Sequence, residues 1–219
     1  MFDEIPTDDV VVWNAMVSGY ASHGHCCEAL ELLHYMQIQG PQPNHRSWTA
    51  ILCGYAHYGH DKDASQLIQQ MSYEGVEPNL VTWNALISGY VLHGHNDEAI
   101  LVFIRMFKEN HQPDKVTYLS LLKASASKAD LQLGKLIHNQ IIDDGIDISV
   151  AMVTSLIDMY AKSGSLGDSW CLFERLSKKD VVAWNSIISG YVLHGREMDA
   201  FNKFQQMHEE GTMPDITTL

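Results

Sequence analysis

Trp13, Trp48, Trp83, Tyr118, Val153 and Trp184 occupy one column of the sequence, separated by 35, 35, 35, 35 and 31 residues. A spacing fixed in this range is the mark of stacked supersecondary units, each burying its apolar face on its neighbours. The 219-residue chain therefore needs no single large core. The column sits inside a recurring stretch: LVTWNALISGY at 80–90 has near-copies in VVVWNAMVSGY, HRSWTAILCGY and VVAWNSIISGY.

Within residues 10–44, Trp13, Met16, Val17 and Tyr20 fall at i, i+3, i+4 and i+7, which places them on one face of a helix. Gly24 breaks the pattern where a left-handed cap or tight turn fits. Ala29, Leu32, Leu33 and Met36 then predict a second amphipathic helix, ended near Gly40 by Pro41 and Pro43. The unit is a helical hairpin with a short linker. Residues 45–79 and 80–114 repeat it without a slip in register. Gly19, Gly54, Gly89 and Gly190 recur inside the first helix, where glycine costs about 1 kcal/mol relative to alanine, so close helix packing is expected there.

Residues 115–149 are a variant: Ala124, Ser125 and Ala129 replace the Gly, Tyr and Gly columns, and Ile148 the closing proline. Residues 150–180 reach the next tryptophan four residues early, and the shortening is expected in the linker between Leu176 and Trp184. Residues 181–215 return to standard length, with Lys203 where other repeats carry Leu or Val. Residues 1–9 read as the tail of a preceding repeat and 216–219 as the start of a next one. The array is thus expected to be cut at both ends.

Several functions are excluded by what the sequence lacks. No apolar run approaches the roughly 18 to 20 residues that span a bilayer. Cys26, Cys27, Cys53 and Cys171 show no CxxC or metal-ligand spacing and are expected as reduced thiols. His208, Glu209 and Glu210 form an isolated HxE without the PCxxC of a zinc deaminase, so no catalytic residue is assigned. Histidines flank the turn glycines at His23, His25, His57, His60, His93, His95 and His194. Each turn offers two ligands at most, and neighbouring turns are expected roughly 10 Å apart, so solvated turns rather than metal sites are predicted. Nothing in the chain calls for a cofactor or a small-molecule substrate.

Repeats of 35 residues reading VxWNAxISGY, then HGxxxEA, then G-x-x-PN or G-x-x-PD resemble the pentatricopeptide repeat family over almost the whole chain. The order standard, long variant, short and standard resembles the plant subfamily with alternating motif types; SLLKASASKADLQLGKLIH and SLIDMYAKSGSLGDSWCLFERL look like its long and short motifs. The resemblance implies an all-α, right-handed superhelical solenoid of antiparallel helical hairpins. It also implies single-stranded RNA as partner, at about one base per repeat. The implied setting is organellar, mitochondrion or chloroplast, and the implied task is specifying sites for C-to-U editing by a partner deaminase or another RNA-processing protein.

By resemblance, bases are read by the fifth residue of each repeat and the last residue of its linker. The pairs are Asn14 with Asn44, Thr49 with Asn79, Asn84 with Asp114, Thr154 with Asp180, and Asn185 with Asp215. Leu119 with Ser149 leaves the variant repeat unread. The implied target runs pyrimidine, A, U, unread, G, U. The chemistry agrees: aspartate only accepts, suiting bases that present a ring N–H, whereas asparagine also donates. Val11, Val81, Val116 and Val182 at the second position look like contacts against base faces; Arg46 and Ala151 depart from that column.

Asn and Asp are also ordinary helix caps, so one such residue alone is as readily structural as functional. Recurrence in five linkers of six weighs toward reading. The Trp, Leu, Ile and Met columns are expected in the core. The charge argues the other way, since 14 basic against 27 acidic residues give −13, and RNA affinity draws on phosphate neutralisation. Charges on an opposite face are screened over about 8 to 10 Å, and Lys108, Lys115, Lys123, Lys128 and Lys135 form the one concentrated basic stretch. The rival reading is a helical scaffold whose acidic surface holds a basic peptide.

Overall fold

The computed structural model describes residues 9–218, which contain twelve helices and no strand. The helices are α1 (Val10–Ser22), α2 (Cys26–Gln39), α3 (His45–Tyr58), α4 (Asp61–Tyr73), α5 (Leu80–Leu92), α6 (Asn96–Lys108), α7 (Lys115–Lys128), α8 (Leu131–Asp143), α9 (Val150–Lys162), α10 (Leu166–Glu174), α11 (Val181–Leu193) and α12 (Glu197–Glu209). Successive pairs form hairpins. The chain divides into two compact halves between Pro113 and Asp114. The expected preceding-repeat tail at 1–9 lies, but for Asp9, outside the described residues. None of the described helices is long and apolar enough to cross a membrane.

In the N-terminal half the first helices pack in series, α1 on α3 and α3 on α5; in the C-terminal half α7, α9 and α11 do the same. The tryptophan column sits in this layer. Trp13, Trp48, Trp83, Trp184 and Tyr118 are at most 1% exposed, with Leu52, Ile87, Leu122 and Ile157 equally buried beside them. The four indole N–H groups are buried without a hydrogen-bond partner among the described residues. The column therefore contributes through bulk and dispersion, not polarity. Lys203 is accommodated by laying its ammonium 3.2 Å from the centroid of the Trp170 ring, and burial pushes its pKa down.

The glycines of the first helices explain the tight layer. A Cβ on Gly54 would lie 2.8 Å from the Ala21 carbonyl oxygen, on Gly89 2.9 Å from Ala56 Cβ, and on Gly190 2.6 Å from Ala161 Cβ. Gly19 departs from the expectation, with nothing within 4 Å, because among the described residues no helix precedes α1 to pack against it. The early tryptophan also has a different origin from the one expected. The linker after α10 keeps its full six residues, 175–180, and it is the helix that is short, 9 residues against 13 in α8 and α12. One helical turn has been removed from the outer layer, which leaves the next first helix in register with the α7 to α11 stack.

Gly190→Ala is expected to lower stability by about 1 to 3 kcal/mol through overpacking, whereas Gly19→Ala, with room for its methyl, should raise it by about 0.5 to 1 kcal/mol. Urea unfolding of the two variants checks both signs.

Candidate nucleic-acid interface

The last linker residue of each of the first five repeats is the N-cap of the following first helix. The Asn44 side-chain oxygen accepts from the Arg46 and Ser47 amides, Asn79 from Thr82, Asp114 from Val116 and Thr117, and Asp180 from Ala183. Ser149 caps α9 in the same way. The cap explains local folding, because each bond satisfies a backbone donor that the helix leaves open.

Capping occupies one side-chain atom only. An N–H donor can be accepted only by oxygen, so the cap orients the amides of Asn44 and Asn79 and leaves Nδ2, a donor, without a partner among the described residues. In Asp180 the corresponding atom is Oδ2, an acceptor. The cap thus converts the Asn/Asp choice into a donor/acceptor choice at one fixed place.

The fifth-position residues lie one turn into the same helices, half-buried. Asn14 Nδ2 donates to Asn44 Oδ1 at 3.4 Å, and Asn185 Nδ2 to Asp215 Oδ1 at 2.9 Å. Thr49 meets Thr82 hydroxyl to hydroxyl at 3.0 Å, and Thr82 donates to Asn79. Thr154 differs: its hydroxyl donates back to the Val150 carbonyl in its own helix, with no bond to Asp180. Asn84 is half-buried on α5 in the N-terminal half, and Asp114 caps α7 in the C-terminal half. Thr217, Asn185 and Thr218 hold the exposed Asp215 carboxyl well below the usual carboxylate range, the Thr217 hydroxyl contributing most. That network therefore persists at neutral pH and is lost only in strong acid.

Val11, Val81, Val116 and Val182 precede the fifth position by three residues and so share its helix face. They are 65%, 69%, 49% and 56% exposed, unlike Trp13, Trp83, Tyr118 and Trp184, which follow them by two residues and are buried. Packing does not account for them. Val11, Asn14, Thr49, Asn79 and Val81 line one open groove of about 840 Å³ in the N-terminal half.

That groove also holds residues that the sequence did not mark as base contacts. Arg46, His45 and His57 line it, and no carboxylate does, although acids outnumber bases nearly two to one in the chain. Arg46 was legible only as a break in the valine column. Within the lysine stretch, Lys135 pairs with Asp168 at 3.8 Å, which offsets part of its charge.

The turn histidines are exposed or half-buried, as expected of solvated turns, but the expected separation of neighbouring turns does not hold for their side chains. The His57 and His93 ring centroids are 3.7 Å apart, so neighbouring turns do approach through their side chains. His194 Nε2 hydrogen-bonds the Ala161 carbonyl at 3.0 Å, closing the end of α9. Among the described residues no three His, Cys, Asp or Glu converge as a metal site, and all four cysteines are free thiols.

Comparison with known proteins follows the same lines. Profiles described as PPR repeat family match residues 78–127 and 179–219, a pentatricopeptide repeat domain matches 31–93, and a PPR repeat matches 11–40 and 151–181. A pentatricopeptide repeat-containing protein of Arabidopsis thaliana is 49% identical over 220 residues, which is all of this chain and 25% of that protein. Two others from Arabidopsis thaliana, named mitochondrial and chloroplastic, are 40% and 39% identical over 101 residues each, 46% of this chain and 14% and 15% of theirs. The chain therefore spans a quarter or less of the length of these relatives. Among solved structures, the pentatricopeptide repeat protein PPR10 in complex with an 18-nt psaJ RNA element superposes with a TM-score of 0.59 at 19% identity, over 96% of this chain and 36% of that one. Nuclear proteinaceous RNase P 2 of Arabidopsis thaliana superposes at 0.61 with 14% identity, over 83% and 41%. At these identities the structural likeness shows the helical-hairpin fold.

Asp180→Ala is expected to cost about 1 kcal/mol through loss of the α11 cap, while Asp180→Asn should stay within a few tenths because Oδ1 still caps. Chemical denaturation of both variants measures the difference.

Proposed function

The chain belongs to the pentatricopeptide repeat family, and from that premise we propose that it is a sequence-selective single-stranded RNA-binding module of six repeats, 10–44, 45–79, 80–114, 115–149, 150–180 and 181–215. The observation that carries the proposal is the groove in which Val11, Asn14, Thr49, Asn79 and Val81 stand together. Exposed valines give bases an apolar face to stack on. The capped Asn and Asp residues then meet the base edge with one atom of defined polarity. Stacking and base-edge hydrogen bonds supply about 1 to 3 kcal/mol per base without phosphate contact.

In the N-terminal half the local charge favours RNA over a basic peptide, because Arg46 with His45 and His57 offers cationic or neutral edges and no carboxylate opposes a phosphate. The acidic total still holds the affinity of six repeats to a modest level. By analogy with relatives named mitochondrial and chloroplastic, the setting is organellar. The alternation of standard, long and short motifs supports a role in specifying C-to-U editing sites, with the chemistry supplied by a partner deaminase.

Gel-shift titration against 5′-YAUNGU-3′ should show binding that a scrambled RNA of equal composition does not match. Equal binding of both, or none, removes the proposal. Asn185→Thr should move the preference at the sixth nucleotide from U toward G; an unchanged preference contradicts the assignment of Asn185.

A further inference from the structure

Ser47 on α3 and Thr82 on α5, each the third residue of its helix, lie beside the linker cap and touch the preceding repeat's fifth residue; Thr218 holds the same place after Asp215. Ser47 is fully buried, and its Oγ accepts the Asn44 backbone N–H at 3.1 Å. The hydroxyl proton is donated to Asn14 Oδ1 at 2.5 Å. The arrangement recurs in the other half. Thr218 Oγ1 accepts the Asp215 N–H at 3.0 Å and donates to Asn185 Oδ1 at 2.6 Å.

The amides of Asn14 and Asn185 are therefore each held through both oxygen and nitrogen, and Asn185 Nδ2 also reaches the Thr217 hydroxyl at 2.5 Å. In each amide the oxygen receives the third-position hydroxyl, and the nitrogen donates to the cap oxygen of Asn44 or Asp215. A flipped amide would set two oxygens against each other at the cap and take from each hydroxyl proton its nearest acceptor, leaving Ser47 the Met36 sulfur at 4.0 Å and Thr218 the Asp215 carboxylate at 3.0 Å. We propose that Ser47 and Thr218 are positioning residues that fix the donor/acceptor orientation of Asn14 and Asn185, and so take part in base selection from the repeat that follows. The inference rests on the RNA-reading function proposed above.

Thr82 plays the same part for Thr49. Either hydroxyl can donate in the Thr49–Thr82 contact; with the Thr82 proton on Asn79 Oδ1, 3.2 Å away, Thr82 accepts from Thr49. The short repeat supplies the internal contrast. Ala183 stands at the third position with no hydroxyl, and Thr154 turns back to Val150. Repeat 150–180 consequently selects its base less strictly than repeat 45–79.

The test is competition binding with RNAs varied at one nucleotide at a time. Ser47→Ala should reduce the pyrimidine-over-purine ratio at the first nucleotide by roughly 5- to 10-fold, the size of one hydrogen bond, with the ratios at other positions unchanged. Ser47→Thr should retain the wild-type ratio. Ala183→Ser should sharpen the G-over-A ratio at the fifth nucleotide, which keeps the proposal testable even if Ser47→Ala does not fold. A wild-type chain without discrimination at these nucleotides overturns the reading function itself. A discriminating wild type whose ratios survive Ser47→Ala, or fall uniformly at every position, or ignore Ala183→Ser, overturns the positioning role alone.

Discussion

The hydrogen bond from a backbone amide to the side-chain oxygen of each linker's last residue is the interaction on which both architecture and interface depend. It begins the first helices from α3 to α11, satisfying donors that would otherwise be left open. It also immobilises a short polar side chain whose second atom is then a donor in Asn and an acceptor in Asp. Under the proposed function, helix capping and base reading are one geometry used twice: the cap that starts the helix also holds still the atom proposed to read the base.

The packing of the first helices supplies the second requirement, a constant spacing. The tryptophan column and the glycine-to-alanine approaches set how closely one first helix lies on the next within each half. The fifth-position residues proposed to read bases are carried on that layer, on the first helices and not on the second helices that vary in length. The shortened α10 illustrates the division: a whole turn is missing from the outer layer, and Asp180 still caps α11.

Much of this was legible because it is periodic. The helices, the buried columns and the identity of the caps follow from apolar spacing and from the positions of Gly, Pro, Asn and Asp. The deletion was not legible, because a sequence aligned on its tryptophans does not say whether a turn or a linker lost the residues. The contact between His57 and His93 was missed because a spacing of backbone turns says nothing about how far side chains reach. The clamp on Asn14 was hidden for a related reason. Ser47 reads as an ordinary capping-box residue, and only the fold brings its hydroxyl to a side chain 33 residues earlier.

Repeats 45–79 and 150–180 pair the same fifth residue, Thr49 and Thr154, with Asn79 and Asp180 respectively. Exchanging only the cap isolates the central claim. Asp180→Asn, titrated against RNAs carrying G or A at the fifth nucleotide, should reverse the preference from G to A while the unfolding midpoint stays unchanged. An unaltered preference, with the cap intact, would mean that the capping residue builds the helix and reads nothing.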